Sequence, residues 1–213
     1  MFNFLKNEIE NSFLSASCMK HSLTGDGRLD SAESEAVVIE HLKDLFKDNN
    51  DIEIIDAPRP RYWYDILIKT DNKVYPVNVK ITSGSGADNV NSKEGLFYAL
   101  TGLWPENVRG LSRWESYNTL LTKNLNFSSD SDYYFVVYFK EDEMFLVTSL
   151  KRIEELTPNG NNLPFQCNWS ENYKFTNRTV EEQSKYLMEI YFQSWLRKLN
   201  GFEPLMKWKD ENK

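Results

Sequence analysis

Asp65 lies in a strand-like run, Tyr62-Trp63-Tyr64-Asp65-Ile66-Leu67-Ile68. Asn78 and Lys80 lie in the next one, Tyr75-Pro76-Val77-Asn78-Val79-Lys80-Ile81-Thr82. Alternate side chains of a strand share a face. Tyr64, Ile66 and Ile68 therefore take one face of the first run, and Asp65 takes the other. In the second run Val77, Val79 and Ile81 share a face, with Asn78 and Lys80 opposite. The linker Asp71-Asn72-Lys73 is short and turn-rich, so the two runs read as a β-hairpin over Tyr62–Thr70 and Val74–Thr82. Such pairing brings Asp65, Asn78 and Lys80 to one patch. Polar groups on otherwise apolar strands need partners, because burying them unpaired is costly. The Asp65 carboxylate, the Asn78 amide oxygen and the Val79 carbonyl are hard oxygen donors of the kind that hold Mg²⁺. An ammonium at Lys80 could orient or deprotonate a water attacking a phosphodiester, whose pKa the metal would lower. The plain alternative is a hairpin with one polar, solvated face.

The elements around this hairpin follow from periodicity. Apolar positions Phe4, Leu5, Ile9, Phe13 and Leu14 have helical spacing within residues 3–20. A second helix is predicted from Ser31 to about Lys47, with Ala32, Ala36, Ile39, Leu42 and Phe46 as its apolar face. Asp30 and Glu33 form a capping box at its start. Ile52–Ile55 reads as a strand, Gly84 to Asp88 as a loop, and Ser92 as the cap of a helix through Leu103. Residues 105–132 are irregular apart from a helical patch at Ser112–Leu125. Asp132–Phe139 and Met144–Leu150 pair as a second hairpin, Leu163–Trp169 is one more strand, and Thr179–Leu199 is the strongest helix, with Leu187, Ile190, Tyr191, Trp195 and Leu199 along one side. With helices at about 1–47 and 179–199 around a central sheet, the prediction is one α/β domain over 1–213.

Asp65 followed on the next strand by Asn78-Val79-Lys80-Ile81-Thr82 resembles the motif of the PD-(D/E)XK nucleases, and most of all that of type II restriction endonucleases, blunt-cutting members included. Asn78 stands where the family usually has an acid, and Tyr64 where the motif has proline. Some members carry an amide at that position; here it removes one negative ligand. The family also places a glutamate on a helix ahead of the first strand. Glu33 and Glu35 both fit; Glu35 is favoured because it falls on the expected buried stripe. Pro164–Trp169 and Asn177–Glu182 are loosely similar to the late strand and final helix of the blunt-cutting group.

The resemblance implies a restriction-endonuclease-like mixed central sheet flanked by helices, with Asp65, Asn78, Lys80 and Glu35 as catalytic residues. Asp65, Asn78 and Val79 would hold Mg²⁺. It also implies cleavage of double-stranded DNA at a short, palindromic sequence, and a homodimer, since two strands need two sites. A bacterial cytoplasmic setting follows. The alternative is a non-catalytic DNA-binding or protein-interaction module on a decayed nuclease scaffold, which Asn78 favours.

Arg59, Arg61 and Lys93 flank the expected site and could line a DNA cleft. Ser83 and Ser85, in a flexible Ser-Gly-Ser-Gly run, could touch a phosphate. Arg109 and Arg113 lie in the irregular middle, where recognition loops often occur. Ser22–Glu33 imitates a calcium loop, but Ser22 and Thr24 replace its first and third acidic ligands, so it reads as a polar loop leading into a helix. The net charge of −7 argues against a general nucleic-acid coat, although a locally basic cleft is compatible with it. Two cysteines without a CxxC exclude a disulfide framework and a cysteine zinc site. No apolar run approaches the ~20 residues of a membrane span. Met1–Lys6 lacks the apolar segment of a signal peptide, so an intracellular protein is expected.

Overall fold

A computed structural model describes residues 1–18, 27–84, 86–90 and 92–211. By its internal contacts the chain divides into two units, Met1–Ser85 with Asp132–Leu150, and Gly86–Ser131 with Lys151–Lys213.

The first unit is a five-stranded mixed sheet carrying two helices. Its strands are β1 (Ile52–Asp56), β2 (Ile66–Thr70), β3 (Lys73–Thr82), β5 (Tyr134–Phe139) and β6 (Met144–Ser149), and they are laid side by side in that order. β1, β2 and β3 form an antiparallel meander, β5 joins β3 in parallel, and β6 folds back antiparallel on β5. A parallel pair needs a long connection, and more than fifty residues separate β3 from β5. Pro76 is tolerated inside β3 because pairing with β5 begins only at Val77 with Tyr134. The side of Pro76 that lacks an N–H therefore faces no neighbouring strand.

Helix α1 (Phe2–Glu10) is shorter than the 3–20 expected. Ser12 donates its hydroxyl to the Ile9 carbonyl at 2.7 Å and helps close the last turn. Phe13 is left exposed, while Leu14 reaches the core. Helix α2 (Gly27–Phe46) starts earlier than Ser31, so the Asp30 expected ahead of it lies within its span. Its buried stripe is Ser34, Val38, Leu42 and Phe46, packed on β1 and β3. Ala36, expected in the core, is exposed. Val38, Leu42 and Phe46, with Leu5, Ile9, Ile66, Ile68, Val77, Val79, Val136 and Val147, form one apolar core.

The second unit holds a three-stranded antiparallel sheet, in the order β4 (Asp88–Val90), β8 (Phe165–Cys167), β7 (Thr157–Pro158). The strand expected at 163–169 thus belongs to this sheet, and Asp88 opens a strand where a loop was expected. Helix α3 (Lys93–Thr101) is capped as predicted: the Ser92 hydroxyl accepts from Gly95 N at 3.0 Å. It ends on Gly102 in the left-handed region. Helix α4 (Trp114–Lys123) fills the helical patch. Helix α5 (Val180–Asn200) starts at a capping box between Thr179 and Glu182, and its buried side is Gln183, Ser184, Leu187, Tyr191 and Ser194. Leu199, expected on that side, is 56% exposed. A further helix, α6 (Glu203–Glu211), was not expected. Among the described residues no helix is long and apolar enough to cross a membrane.

Candidate active site

Aromatic packing sets the approach to Asp65. Residues 62–65 were expected to be strand, but β2 begins only at Ile66. The preceding Pro58-Arg59-Pro60 and a positive φ at Arg61 turn the chain, so it enters the sheet late. Trp63 and Tyr64 are buried against each other, with the Trp63 ring also stacked on Tyr133. The Tyr133 hydroxyl donates to the Trp63 carbonyl. Asp65 N donates to Val77 O and Ala57 N donates to Asp65 O, so the backbone of Asp65 is fixed on both sides.

Asp65 stands where β2 and β3 part. Val77 turns its carbonyl toward β2, and by the alternation of a strand Val79 turns both its N–H and its carbonyl the same way. No residue of β2 is left to meet them, because pairing ends at Ile66 with Val77. The Asp65 side chain takes that place: its Oδ2 accepts from Val79 N at 2.8 Å. The same Oδ2 accepts from Asn78 Nδ2 at 2.7 Å. Lys80 is half-buried and close enough to act on Asp65 by its charge. Among the described residues no hydrogen bond or ion pair engages its ammonium. The predicted convergence of Asp65, Asn78 and Lys80 is thus present. Burial pushes the Asp65 carboxyl above its ordinary value of 3.8, while the Val79 N–H and the Lys80 charge pull it back down.

The donor set is compatible with a hard divalent cation, though sparsely charged. Asp65 Oδ1, the Asn78 amide oxygen and the Val79 carbonyl are oxygen donors on the open side of β3. Mg²⁺ is commonly held by one or two carboxylates, with the remaining ligands from phosphate and water. In the geometry seen, Asn78 meets Asp65 through its amide N–H₂, so it steadies the carboxylate directly. Among the described residues no three His, Cys, Asp or Glu side chains gather as a metal cluster. Glu35 is half-buried on the shoulder of the α2 stripe, beside Ser34 and one turn before half-buried Ile39, while Glu33 is exposed.

The expected DNA-contact residues fall into different settings. Arg59 is exposed and lies 5.6 Å from the Tyr62 ring centre, and Arg61 is exposed. Ser83 is exposed at the end of β3. Lys93, in the second unit, donates to Ser112 O at 2.8 Å and sits 4.8 Å over the Trp114 ring. That ammonium therefore ties α3 to the segment before α4. Arg109 and Arg113 are exposed in the same unit. Ser85 and residues 22–26 of the calcium-like stretch lie outside the described residues.

Sequence reasoning missed two features. One is the capping of Val79 N by Asp65, whose only signal is the proline-flanked entry to β2. The other is a polar hollow of about 410 Å³ in the second unit, lined by Asn89, Asn159, Asn161, Asn162, Gln166 and Arg197 among others. Asn159 Nδ2 donates to Asn89 Oδ1 at 2.8 Å, and Asn159 Oδ1 accepts from Asn161 N and Asn162 N. The turn-rich run Pro158-Asn159-Gly160-Asn161-Asn162 was its signal.

Neither protein-family models nor curated proteins gave a match to the chain.

Proposed function

We propose that the protein is a Mg²⁺-dependent endonuclease of the type II restriction class, acting on both strands of double-stranded DNA at a short, palindromic sequence. The observation that carries this reading is the meeting of Asp65, Asn78 and Lys80 where β2 leaves β3. Spare backbone and side-chain oxygens lie there beside the Lys80 ammonium, which no hydrogen bond or ion pair engages among the described residues. Bound Mg²⁺ would supply a lowered water pKa and a counter-charge for the phosphodiester. Asp65 holds one carboxylate oxygen on the Val79 and Asn78 N–H groups and leaves the other free. Asn78 fixes that rotamer. Lys80 stands ready to orient or deprotonate the attacking water and to face the phosphate charge. Glu35 would assist from α2. The mixed sheet with a helix ahead of it supports the restriction-endonuclease-like reading of the fold.

Arg59 and Arg61 in the first unit, and Arg109 and Arg113 in the second, supply exposed cations for a phosphate backbone. Among the residues lining the polar hollow, Asn161 and Asn162 carry side-chain amides of the kind that read base edges. Two such sites on a homodimer would cut both strands, in the cytoplasm of a bacterium. A second reading, a DNA-binding module without cleavage, is favoured by one observation: Asn78 presents its N–H₂ to Asp65 where an acid would supply a second metal ligand.

Incubation of the protein with phage and plasmid DNA, with Mg²⁺ or with EDTA, separates the two readings. Discrete fragments with Mg²⁺ alone, absent in Asp65→Ala and Lys80→Ala, support the nuclease. DNA that is bound but stays intact under all conditions supports the binding module.

A further inference from the structure

Phe192, Leu196 and Leu199 lie at spacings of four and three on the exposed side of α5, and Phe202, Leu205 and Met206 continue the apolar positions into α6. All six are between 36% and 61% exposed. The two helices are nearly continuous: Gly201 has helical φ and ψ, Phe202 N donates to Leu199 O, and Met206 N donates to Phe202 O. None of the residues of α6 is buried. As an extension of α5 this helix needs no new nucleation, yet its apolar side chains gain no burial within the chain. With about half of each of the six exposed, together they leave on the order of a few hundred Å² of apolar surface. Exposed patches of that size mark interaction sites. One side of a standard protein interface is about 800 Å², so this stripe with its polar border is enough for one.

We propose that this stripe is a two-fold docking surface for a second copy of the chain. Antiparallel pairing about the Asn200–Gly201 peptide makes it self-complementary. It sets Leu199 of each copy against Phe202 of the other, and Leu196 against Leu205. The same register sets Lys198 beside Glu203 across the axis. Neither of these charges has an ion pair among the described residues. Gly201, at the crossing, carries no side chain to hold the helices apart. The charges thus specify the register and the apolar groups supply the affinity. A dimer suits an enzyme that cuts two strands, but the surface is argued without that reading.

Sedimentation of the full chain, without DNA or metal, tests this over a wide concentration range. The expected result is a concentration-dependent dimer, and a monomer for Leu199→Asp with Leu205→Asp. Lys198→Glu and Glu203→Lys should each weaken the dimer by about tenfold or less, as expected for a border ion pair. Lys198→Glu combined with Glu203→Lys should restore it. These charge changes lie on the surface, so they remain readable if the aspartate variants fail to fold. A monomer at every concentration overturns the proposal, whether or not the stripe then binds lipid vesicles. So does a dimer that the aspartate variants leave intact, or single charge changes that the double change does not rescue. DNA cleavage is read separately, so loss of the nuclease reading leaves this result standing.

Discussion

Asp65 has two tasks that two substitutions separate. Val79 is fully buried, and its N–H has no strand partner once β2 has ended; Asp65 Oδ2 is its acceptor. Asp65→Ala leaves that N–H and the Asn78 Nδ2 without their acceptor. An orphaned buried donor costs about 1–3 kcal/mol. Asp65→Asn keeps an oxygen in the same place. It exchanges a charge-assisted bond for a neutral one, a loss of about 1 kcal/mol. It also removes the burden of a carboxylate that burial disfavours, which works in the opposite direction. The expected order is wild type and Asp65→Asn within about 1 kcal/mol of each other, with Asp65→Ala about 1–3 kcal/mol below. The folded-state pKa of Asp65 lies above the unfolded one, so the native state binds the proton more tightly. Wild-type stability attributable to this group therefore falls as pH rises from the ordinary 3.8 through the raised folded value. Asp65→Asn lacks this slope and should gain on wild type across that window. Urea unfolding at a series of pH values measures both effects. Equal stability of all three proteins would refute the capping argument, and a gap between wild type and Asp65→Asn that narrows in the opposite sense would refute the pKa argument. Both variants should lose cleavage; an active Asp65→Asn would remove Asp65 from the proposed chemistry.

Three further outcomes are expected. Asn78→Asp replaces a donor 2.7 Å from Asp65 Oδ2 by a second carboxylate. Its thermal midpoint should fall in EDTA, reflecting a loss of about 1–3 kcal/mol, and millimolar Mg²⁺ should raise it by more than it raises wild type; equal responses to Mg²⁺ would count against a cation site between these side chains. Lys80→Ala should leave stability within about 0.5 kcal/mol, since no hydrogen bond to a described residue is lost, yet cut the rate of DNA cleavage by about a hundredfold or more if Lys80 serves the attacking water. That variant also lifts the Asp65 pKa further, moving the acidic limb of the rate profile to higher pH. Of the two cysteines, exposed Cys18 should react at once with a thiol reagent. Cys167, buried and with its thiol pushed up by burial and by Asp88 and Glu171, should react only in denaturant. Two fast-reacting thiols in the native protein would contradict that burial.

The legible part of the site is the part that a period of two can encode. Asn78 and Lys80 share a face because they are two residues apart, and the short turn at 71–72 fixes which residue of the first run meets them. The cap at Ser92 was equally readable, since a hydroxyl three residues ahead of the N–H it accepts is a local signal, and the Thr179 cap carried the same signal unread. What escaped depends on where pairing stops. A sequence shows that Tyr62–Thr70 can be extended, but Arg61 and its flanking prolines decide that only Ile66–Thr70 joins the sheet. Strands β4 and β7, of three and two residues, are too short for any periodicity. Helix α6 escaped because its apolar residues face no core of this chain. The late start of β2 matters most for function. Had β2 extended to Tyr64, a backbone carbonyl would have taken Val79 N, and Asp65 would project from a closed ladder with nothing to hold it. Starting the strand two residues later leaves a backbone N–H that fixes one carboxylate oxygen, and it leaves a carbonyl and the other carboxylate oxygen side by side. The irregularity that obscures the strand boundary is thus the feature that opens room for a cation and a phosphate beside Lys80.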